Sequence, residues 1–579
     1  MLRRSAAPVL LVVLLVACGG SPGGGAGAAD SVTMEAEFPA QNRPDVAGTA
    51  GAVSSDHPLA SAAGYRVLRD GGNAVDAAVT MAAVLAVVRP HMNGVGGDSF
   101  GLFYDGESGQ VSALNGSGRA GELATPEFFA DAGREEIPTR GALSVSVPGS
   151  VGAWATALEE RGSISLAEAL EPAIRYAEEG FPVSTELRAD LADHADDLNE
   201  AGRAIYLRDG EAPAVGTLLR NPALAESLRT IAEQGPGAMY GGEIGDRLAS
   251  FLEERGGYLR PGDFADHTST WTDPIGVDYR GHRVLTFPPN TQGFVLLQQM
   301  KMAEQFDLES MGHNSTRYLH TLVELKKLAF GDRARWLADP SVADIPMDSL
   351  LSEGYLHRRA RLVSPDSAME DPGPGIGGPA GGETAASPED AGDSGDTVYL
   401  TAVDADGNAV SWIQSLYYSF GSGLVEPETG IVLQNRGGLF TLEEGHPNRI
   451  APGKRPFHTL MPAMALRDGQ LAFTFGTPGG DSQSQTLLQV FHNIHLFGMT
   501  PQQAVEAPRY RSYGDRRLAI EARVRPAVRD SLDRLGHRLD PMNGWLATFG
   551  GVQMIYVHPE SGALVAAAGP RREAYAIAY

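Results

Sequence analysis

The stretch Asp396-Thr-Val-Tyr-Leu-Thr-Ala-Val403 is followed by Asp404-Ala-Asp-Gly407 and then by Asn408-Ala-Val-Ser-Trp-Ile-Gln-Ser415. In the outer two segments apolar residues alternate with others, which is typical of β-strands. The short segment between them carries aspartates and a glycine, the residues that favour tight turns. We therefore predict a hairpin of two strands at the centre of the fold.

The residues before this hairpin have a very different composition. From Ser364 to Asp396 the chain reads SPDSAMEDPGPGIGGPAGGETAASPEDAGDSGD, with almost no large apolar side chain. Such a segment cannot bury enough apolar surface to offset the entropy lost on ordering. We therefore predict a disordered, acidic, Gly/Pro-rich linker over residues 364–396.

Thr397 stands at the junction of linker and strand, and two explanations of it are open. A threonine at the beginning of a strand is commonly there because its β-branched side chain suits an extended backbone. Alternatively, cleavage between Asp396 and Thr397 would make Thr397 a new N-terminus. Its free α-amine would then act as the general base for its own hydroxyl, which is otherwise a poor nucleophile at neutral pH.

Outside the hairpin, the periodicity predicts helices mixed with further strands. The predicted helices cover residues 59–70, 74–87 with Asn73 as the N-cap, 150–161 and 483–497. The predicted strands cover residues 99–104, 143–147 and a C-terminal hairpin of 552–557 and 563–567. Helices outside and paired strands within indicate an α/β sandwich.

The N-terminal residues indicate export. Two arginines precede the apolar run Val9–Val16, which is too short to span a bilayer. The run ends in Leu15-Val-Ala-Cys18, which resembles a bacterial lipobox, so residues 1–18 are predicted to be a lipoprotein signal peptide with Cys18 as the lipidated residue. A plain secretory peptide is the alternative. Residues 19–55 are predicted to be a flexible tether and N-terminal extension, leaving an anchored protein that faces the periplasm or the cell exterior.

The net charge excludes one class of partner. With 46 basic and 72 acidic residues the formal charge is −26, which repels nucleic acid phosphates. Gly373–Gly378 fits a dinucleotide-binding pattern but has no strand or helix beside it. His492 and His495 are spaced as ligands on a helix but have no evident third ligand. We predict no nucleic acid partner, no cofactor and no metal.

Several segments resemble the γ-glutamyltransferase family. Those similar to the start of its small subunit are Asp396-Thr397 with Ala402–Val410, Phe420–Gly423 and Gly430–Leu433. Those similar to its other signatures are Gly71–Ala78, Asn93–Phe100, Ser146–Gly149, Glu178–Ser184 and Gly476–Gly480. They follow the family's order from about Asp56 to the C-terminus.

The resemblance implies an α+β fold, namely a four-layer αββα sandwich of the N-terminal-nucleophile hydrolase type built jointly from two chains after self-cleavage. The large subunit would cover residues 56–363 and the small catalytic subunit residues 397–579, and the two would form a heterodimer. Thr397 Oγ would attack the Asp396 carbonyl, and the mature Thr397 would form an acyl-enzyme and pass the acyl group to water or an amine. Gly479 and Gly480 match the family's oxyanion hole, and Ser415 matches a second hydroxyl beside the nucleophile.

The substrate-binding positions depart from the glutathione-cleaving members. Where those members have an acidic residue this chain has Leu439, and where they have two side-chain amides it has Arg436 and Tyr417. Their paired serines are replaced by His458 and Thr459. Their carboxylate-binding arginine is replaced by Ser117, with Arg119 two residues later. Losing a carboxylate and gaining an arginine should weaken recognition of an ammonium group.

Three functions follow from these observations. The leading prediction is cleavage of γ-glutamyl, glutathione-like amides, with transfer to water or an amine. Segments 435–440 and 453–459 look more like the cephalosporin (glutaryl) acylase subgroup, which predicts instead an acyl group with a carboxylate and no α-amine, and little glutathione activity. The third possibility is a non-catalytic binding lipoprotein that keeps the sandwich as a scaffold.

Overall fold

The computed structural model describes residues 41–377 and 396–579, in which two seven-stranded antiparallel sheets face each other. The first sheet contains, in spatial order, β19 (Tyr575–Ala578), β2 (Ala52–Ser55), β10 (Asp396–Val403), β11 (Ala409–Tyr417), β3 (Asp98–Tyr104), β4 (Val111–Gly116) and β7 (Thr270–Thr272). The second contains β1 (Val46–Gly48), β18 (Leu564–Ala568), β17 (Gln553–Val557), β13 (Gln470–Gly476), β12 (Ala463–Arg467), β9 (His282–Thr286) and β8 (Ile275–Tyr279). Two small sheets contain β14 (Tyr510–Ser512), β15 (Arg517–Glu521) and β16 (Arg538–Met542), and β5 (Phe181–Pro182) with β6 (Leu218–Leu219).

Helices cover the outer faces of both sheets. Those before the linker are α1 (Pro58–Arg69), α2 (Ala74–Val88), α3 (Pro126–Asp131), α4 (Ser150–Arg161), α5 (Leu166–Glu179), α6 (Thr185–Asp193), α7 (Glu200–Tyr206), α8 (Pro222–Gln234), α9 (Glu243–Glu253), α10 (Pro261–Ala265), α11 (Gly293–Ala303), α12 (Leu308–Met311), α13 (Thr316–Trp336), α14 (Met347–Leu350) and α15 (Glu353–Ala360). Those after it are α16 (Ser482–His495), α17 (Pro501–Glu506) and α18 (Pro526–Arg534). Short 3-10 helices cover Ala142–Ser144, Pro236–Ala238, Arg436–Leu439 and Ala547–Phe549.

The predicted hairpin is confirmed as β10 and β11, and its alternation explains the layers. Val398 and Leu400 point into the core shared with α2, a helix that is buried along its whole length. Tyr399 and Ile413, on the other face, pack against the second sheet. Helices α11, α16 and α17 cover the far side of that sheet. The result is the predicted four-layer αββα sandwich.

Close contacts fix how the two sheets face each other. Thr401 Oγ1 lies 2.6 Å from Thr474 Oγ1, and one step along, the Tyr399 ring lies against Gly476. A Cβ on Gly476 would lie 2.1 Å from that ring, so only glycine fits there. Side chains on one face of a strand recur every two residues. Thr397 and the turn that contains Gly479 and Gly480 therefore lie beyond the same end of these contacts.

The residues before and after the linker are interleaved in both sheets. In the first sheet, β2 lies between β19 and β10, while β11 pairs with β3. In the second sheet, β1 pairs with β18, and β9 with β12. Neither part of the chain forms either sheet alone.

One predicted strand is wrong. Residues 143–147 are not paired with a strand; the segment begins as a 3-10 helix over Ala142–Ser144. Val145 and Val147 are buried as their alternation indicated, but Val147 N donates to Arg119 O, which belongs to an irregular segment. Alternation reports burial and does not report whether the backbone has a partner strand.

The structure also refines the predicted segment boundaries. Two strands, β1 and β2, fall within the predicted N-terminal extension, and β2 is an inner strand. The early linker residues 364–377 make specific contacts through their backbone, since Ala368 N donates to Leu535 O at 2.7 Å and Met369 O accepts from Lys327 Nζ at 2.6 Å. Composition does not reveal these contacts, because backbone groups of the linker make them. The lipobox with Cys18 lies outside the described residues, as do residues 378–395 of the linker.

Within residues 41–377 and 396–579, no helix combines the length and the apolar character needed to cross a bilayer.

Candidate active site

Thr397 and Ser415 meet at the ends of the two central strands. Thr397 is the second residue of β10, beside an irregularity in the β10–β11 register, and its side chain is buried. Its Oγ1 donates a hydrogen bond to Ser415 Oγ at 3.1 Å. Ser415 Oγ in turn donates to the carbonyl oxygen of Asp396 at 2.6 Å. The two hydroxyls and the carbonyl of the predicted cleavage site thus form one hydrogen-bonded chain.

The glycine turn that follows β13 has an unusual backbone. Gly479 has φ 120° and Gly480 has φ 53°. Residues other than glycine rarely adopt such positive φ angles. The Gly480 carbonyl accepts from Gln292 Nε2 at 3.1 Å, and the same amide nitrogen donates to Thr459 O at 2.8 Å. Gln292 therefore fixes the turn relative to the segment before β12. Sequence analysis missed Gln292, because nothing in its own segment marks it.

An ion pair holds the other end of this turn. Arg333 contacts both carboxylate oxygens of Asp481, with Nη2 to Oδ2 at 2.8 Å, and its Nη1 donates to Gln292 Oε1 at 2.7 Å. Burial acts to raise the pKa of Asp481, but the Arg333 guanidinium outweighs burial and holds the pKa below its usual value. From the sequence alone, the charges at Lys326, Lys327, Arg333 and Arg335 predict a solvated helix face. That prediction is wrong, because both lysines are buried and Arg333 faces the turn.

Asp98 adds a buried acid that sequence analysis missed. It begins β3 directly opposite Ser415 in register, and its Oδ1 accepts from Gly118 N at 2.9 Å. Its Oδ2 lies 3.6 Å from His458 Nε2, and both side chains are fully buried. Burial raises the pKa of Asp98 to about 7 and lowers that of His458 well below its usual value. A charged residue at the beginning of an otherwise apolar strand was the signal available in the sequence.

A cation and an apolar cluster lie near the end of β11. The Arg436 guanidinium lies 4.5 Å from the centre of the Tyr417 ring, and both side chains are buried. Leu439 occupies the position at which the glutathione-cleaving members have an acidic residue. It packs with Tyr417 and Tyr418. The surroundings of Leu439 are therefore apolar.

The two remaining predicted substrate-binding residues, Thr459 and Arg119, differ in how far they are buried. Thr459 is buried next to His458, and its Oγ1 makes no hydrogen bond within the described parts of the chain. Arg119 is about one-third exposed and donates to Gly453 O at 3.0 Å, with Asp339 at 3.9 Å. Arg119 thus contacts Gly453 and Asp339 rather than Thr397.

Asp396 lies in a buried network of charges. Its Oδ1 is 3.5 Å from Arg572 Nη2, and Glu186 accepts from both Arg572 and Arg89 at 2.9 and 2.8 Å. Burial, assisted by the nearby Asp190 carboxyl, raises the pKa of Asp396 well above its usual value. The network positions the residue that precedes Thr397.

Two clusters in the described residues have metal-ligating side chains close together: His320, Glu324 and His537, and His91, Glu186 and Asp190. In each cluster the glutamate already has a cationic partner. Glu324 accepts from Lys327 Nζ at 2.8 Å, and Glu186 is shared by two arginines. We assign no metal to either cluster.

Known proteins resemble this chain over almost its whole length. The sequence profile of the family described as Gamma-glutamyltranspeptidase matches residues 60–579. A glutathione hydrolase-like proenzyme of Bacillus subtilis, YwrD, is 40% identical over 92% of this chain and 99% of its own length. An oxamate amidohydrolase proenzyme of Klebsiella pneumoniae is 36% identical over the same shares.

Solved structures agree with these sequence matches. The crystal structure of a cephalosporin acylase from Bacillus halodurans superposes with a TM-score of 0.85, at 35% identity, covering 94% of this chain and 98% of that one. The sandwich is thus of the N-terminal-nucleophile hydrolase type, as predicted. From its sequence, its fold and the arrangement around Thr397, the chain belongs to the γ-glutamyltranspeptidase family of amidohydrolases.

Proposed function

We propose that the chain is a self-processing amidohydrolase with Thr397 as its nucleophile, acting on amides whose acyl part ends in a carboxylate. The hydrogen bonds from Thr397 Oγ1 to Ser415 Oγ and from Ser415 Oγ to Asp396 O carry the proposal. They align a hydroxyl with the carbonyl of the peptide bond just before it. The proenzyme names of both relatives support processing of the chain.

The first reaction would cut the chain. Thr397 Oγ attacks the carbonyl carbon of Asp396 while the Ser415 hydroxyl stabilises the charge that develops on the carbonyl oxygen. The C–N bond then breaks, the Thr397 nitrogen takes up the proton, and water hydrolyses the resulting ester. The products are a large chain that ends at Asp396 and a small chain that begins at Thr397.

The second reaction would use the new N-terminus. The α-amine of Thr397 accepts the proton from Oγ as Oγ attacks the substrate amide. The backbone N–H groups of Gly479 and Gly480 stabilise the oxyanion, and the amine product leaves with the proton. Water, or a second amine, then takes the acyl group from Thr397.

The charges near the site support a carboxylate on the acyl part. Arg436 supplies a buried cation beside Tyr417, and guanidinium groups bind carboxylates well. Leu439 lies among aromatic rings and offers no partner to an ammonium group. Among the relatives, the one named for oxamate acts on a molecule that carries a carboxylate beside its amide.

Cleavage of γ-glutamyl amides is the second candidate. The name of the glutathione hydrolase-like relative supports it, and the buried Asp98 carboxyl could accept from an α-ammonium group. Turnover of glutaryl anilide against γ-glutamyl anilide separates the two candidates. We expect the glutaryl compound to react faster, and faster reaction of the γ-glutamyl compound would reject the carboxylate-only proposal.

Intact mass measurement of the full-length chain, beside Thr397→Ala, tests the proposal as a whole. We expect the wild type to yield a small chain that begins at Thr397 and ends at Tyr579, and the variant to stay uncut. Thr401→Ala is the matched control, because Thr401 is buried on the same face of the same strand. The control should still be cut. A folded wild-type chain that stays uncut would favour the non-catalytic binding protein.

A further inference from the structure

Asp98 and His458 leave buried polar atoms without partners beside the site. Within residues 41–377 and 396–579, Asp98 Oδ2 makes no hydrogen bond, and neither does either ring nitrogen of His458. The two groups face each other at 3.6 Å. Because buried polar groups in folded proteins are nearly always hydrogen-bonded, such a pair is expected where a ligand supplies the missing partner.

The position of Asp98 links this pair to the proposed nucleophile. Asp98 on β3 is directly opposite Ser415 on β11, and Ser415 Oγ accepts from Thr397 Oγ1. Side chains directly opposite each other on neighbouring strands have Cβ atoms roughly 5 Å apart on one face of the sheet. An acyl group attached to Thr397 and extending across the sheet would therefore reach Asp98 Oδ2.

Burial favours an uncharged Asp98 carboxyl, and six groups face it. They are the Gly118 N–H, the Gln434 side chain and Arg436, Arg455, His458 and Tyr240. Burial raises the pKa of Asp98 to about 7 although both arginines oppose the shift. His458 remains neutral at this pH, because burial and the same arginines lower its pKa.

We propose that Asp98 is a specificity residue which, in its protonated form, donates a hydrogen bond from Oδ2 to the far carboxylate of the acyl group, while Arg436 neutralises that carboxylate. The assignment rests on the proposed function, since it takes the acyl group to be held on Thr397. A protonated carboxyl can donate, whereas an ionised one only accepts and repels a second carboxylate. The same site therefore loses affinity for a carboxylate when Asp98 loses its proton.

Glutarate binding to the processed protein tests the assignment by calorimetry, without any need for turnover. From about pH 6 to about pH 9 glutarate itself stays ionised. We expect wild-type affinity to fall about tenfold for each pH unit above about 7, as Asp98 ionises. Asp98→Asn keeps an oxygen for Gly118 and an N–H donor for the ligand, so it should lose the part of this fall that Asp98 causes and keep only the part due to the α-amine of Thr397, whose ordinary pKa is about 8.

Asp105→Asn is the matched control, because Asp105 follows the other end of β3 and accepts from Ser108 N in an exposed turn. It should keep the wild-type pH dependence. Butyrate, which lacks the second carboxylate, should bind weakly and without this dependence.

The outcomes separate the two levels of proposal. A cut and active enzyme whose glutarate affinity does not change with pH, or changes equally in Asp98→Asn, overturns the assignment of Asp98 alone. If Asp98→Asn does not fold, the wild-type comparison of glutarate with butyrate decides. An uncut wild-type chain overturns the proposed function, and the role of Asp98 with it.

Discussion

At the scale of single residues, the hydroxyl of Ser415 is completely used. It accepts from Thr397 Oγ1 and from Tyr417 N at 2.8 Å, and it gives its one hydrogen to Asp396 O. The hydrogen of Thr397 therefore points towards Ser415, away from the carbonyl it would attack. This order makes Ser415 the group that polarises the Asp396 carbonyl.

Replacing Ser415 should slow self-cleavage without removing the nucleophile. Loss of one hydrogen-bond donor to a developing oxyanion costs about 10²- to 10³-fold in rate, so we expect Ser415→Ala to be cut that much more slowly. The measurement is the time course of chain cleavage after refolding, followed by mass. Ser411→Ala, on the same face of β11 and bonded to Ala463 O, should be cut at the normal rate. Equal rates in the two variants would remove Ser415 from the mechanism.

The sequence predicted some of these residues and missed others for a physical reason. The junction that singles out Thr397 is visible in one stretch of chain, and Ser415 was identified through the family resemblance. Asp98 and Gln292 act through partners far away in sequence, His458 and Gly480. Only the packing of one sheet on the other brings these pairs together, so local patterns cannot identify them.

At the scale of elements, the beginning of α11 controls the glycine turn. Gln292 is the N-cap residue of α11 but makes no side-chain cap; its amide instead reaches Gly480 O and Thr459 O. Arg333 of α13 holds the other side of that amide. The turn is thus fixed by two helices from the part of the chain before the linker.

Loss of this amide should lower kcat more than it changes KM. We expect Gln292→Ala to reduce kcat about 10- to 100-fold, the usual effect of removing a group that orients a site, because Gly479 and Gly480 would be less well aligned with the oxyanion. Steady-state kinetics on glutaryl anilide give both constants. The control is Gln299→Ala in the same helix, whose amide donates to Val295 O. A rise in KM with unchanged kcat would place Gln292 in substrate binding instead.

Periodicity predicted the elements unevenly. The helices α1, α2, α4 and α16 and both hairpins have the period of their structure and are confirmed. Apolar and polar residues alternate over 143–147 because the segment is buried between other segments, although it pairs with no strand. The first residues of the linker have the composition of a disordered segment, because their contacts are made by backbone groups such as Met369 O. In both cases the residues that determine the structure of the segment lie elsewhere in the sequence.

At the scale of the whole molecule, the two parts of the chain share one pair of sheets. The part before the linker contributes β2, β3 and β9, and the part after it contributes the strands that pair with them, β10, β11 and β12. Cutting the bond before Thr397 would leave all of these ladder hydrogen bonds in place. The resemblance implies both the layer order and a sandwich built jointly by the two parts, whereas the identity of the strands that pair is known only from the structure.

The cut protein should therefore behave as one cooperative unit. We expect both chains to co-elute in native size-exclusion chromatography and to unfold in a single urea transition by circular dichroism and by fluorescence. The uncut Thr397→Ala protein is the reference. Two separate transitions, or separation of the chains without denaturant, would contradict a shared core.

The same interleaving changes the order of the folding reaction. An uncut precursor folds within one chain, so its refolding rate does not depend on protein concentration. Once the chain is cut, neither product can complete its sheets alone, and refolding requires two molecules to meet. Its rate then scales with the product of the concentrations of the large and small chains. At high dilution the unfolded mature protein would therefore refold very slowly.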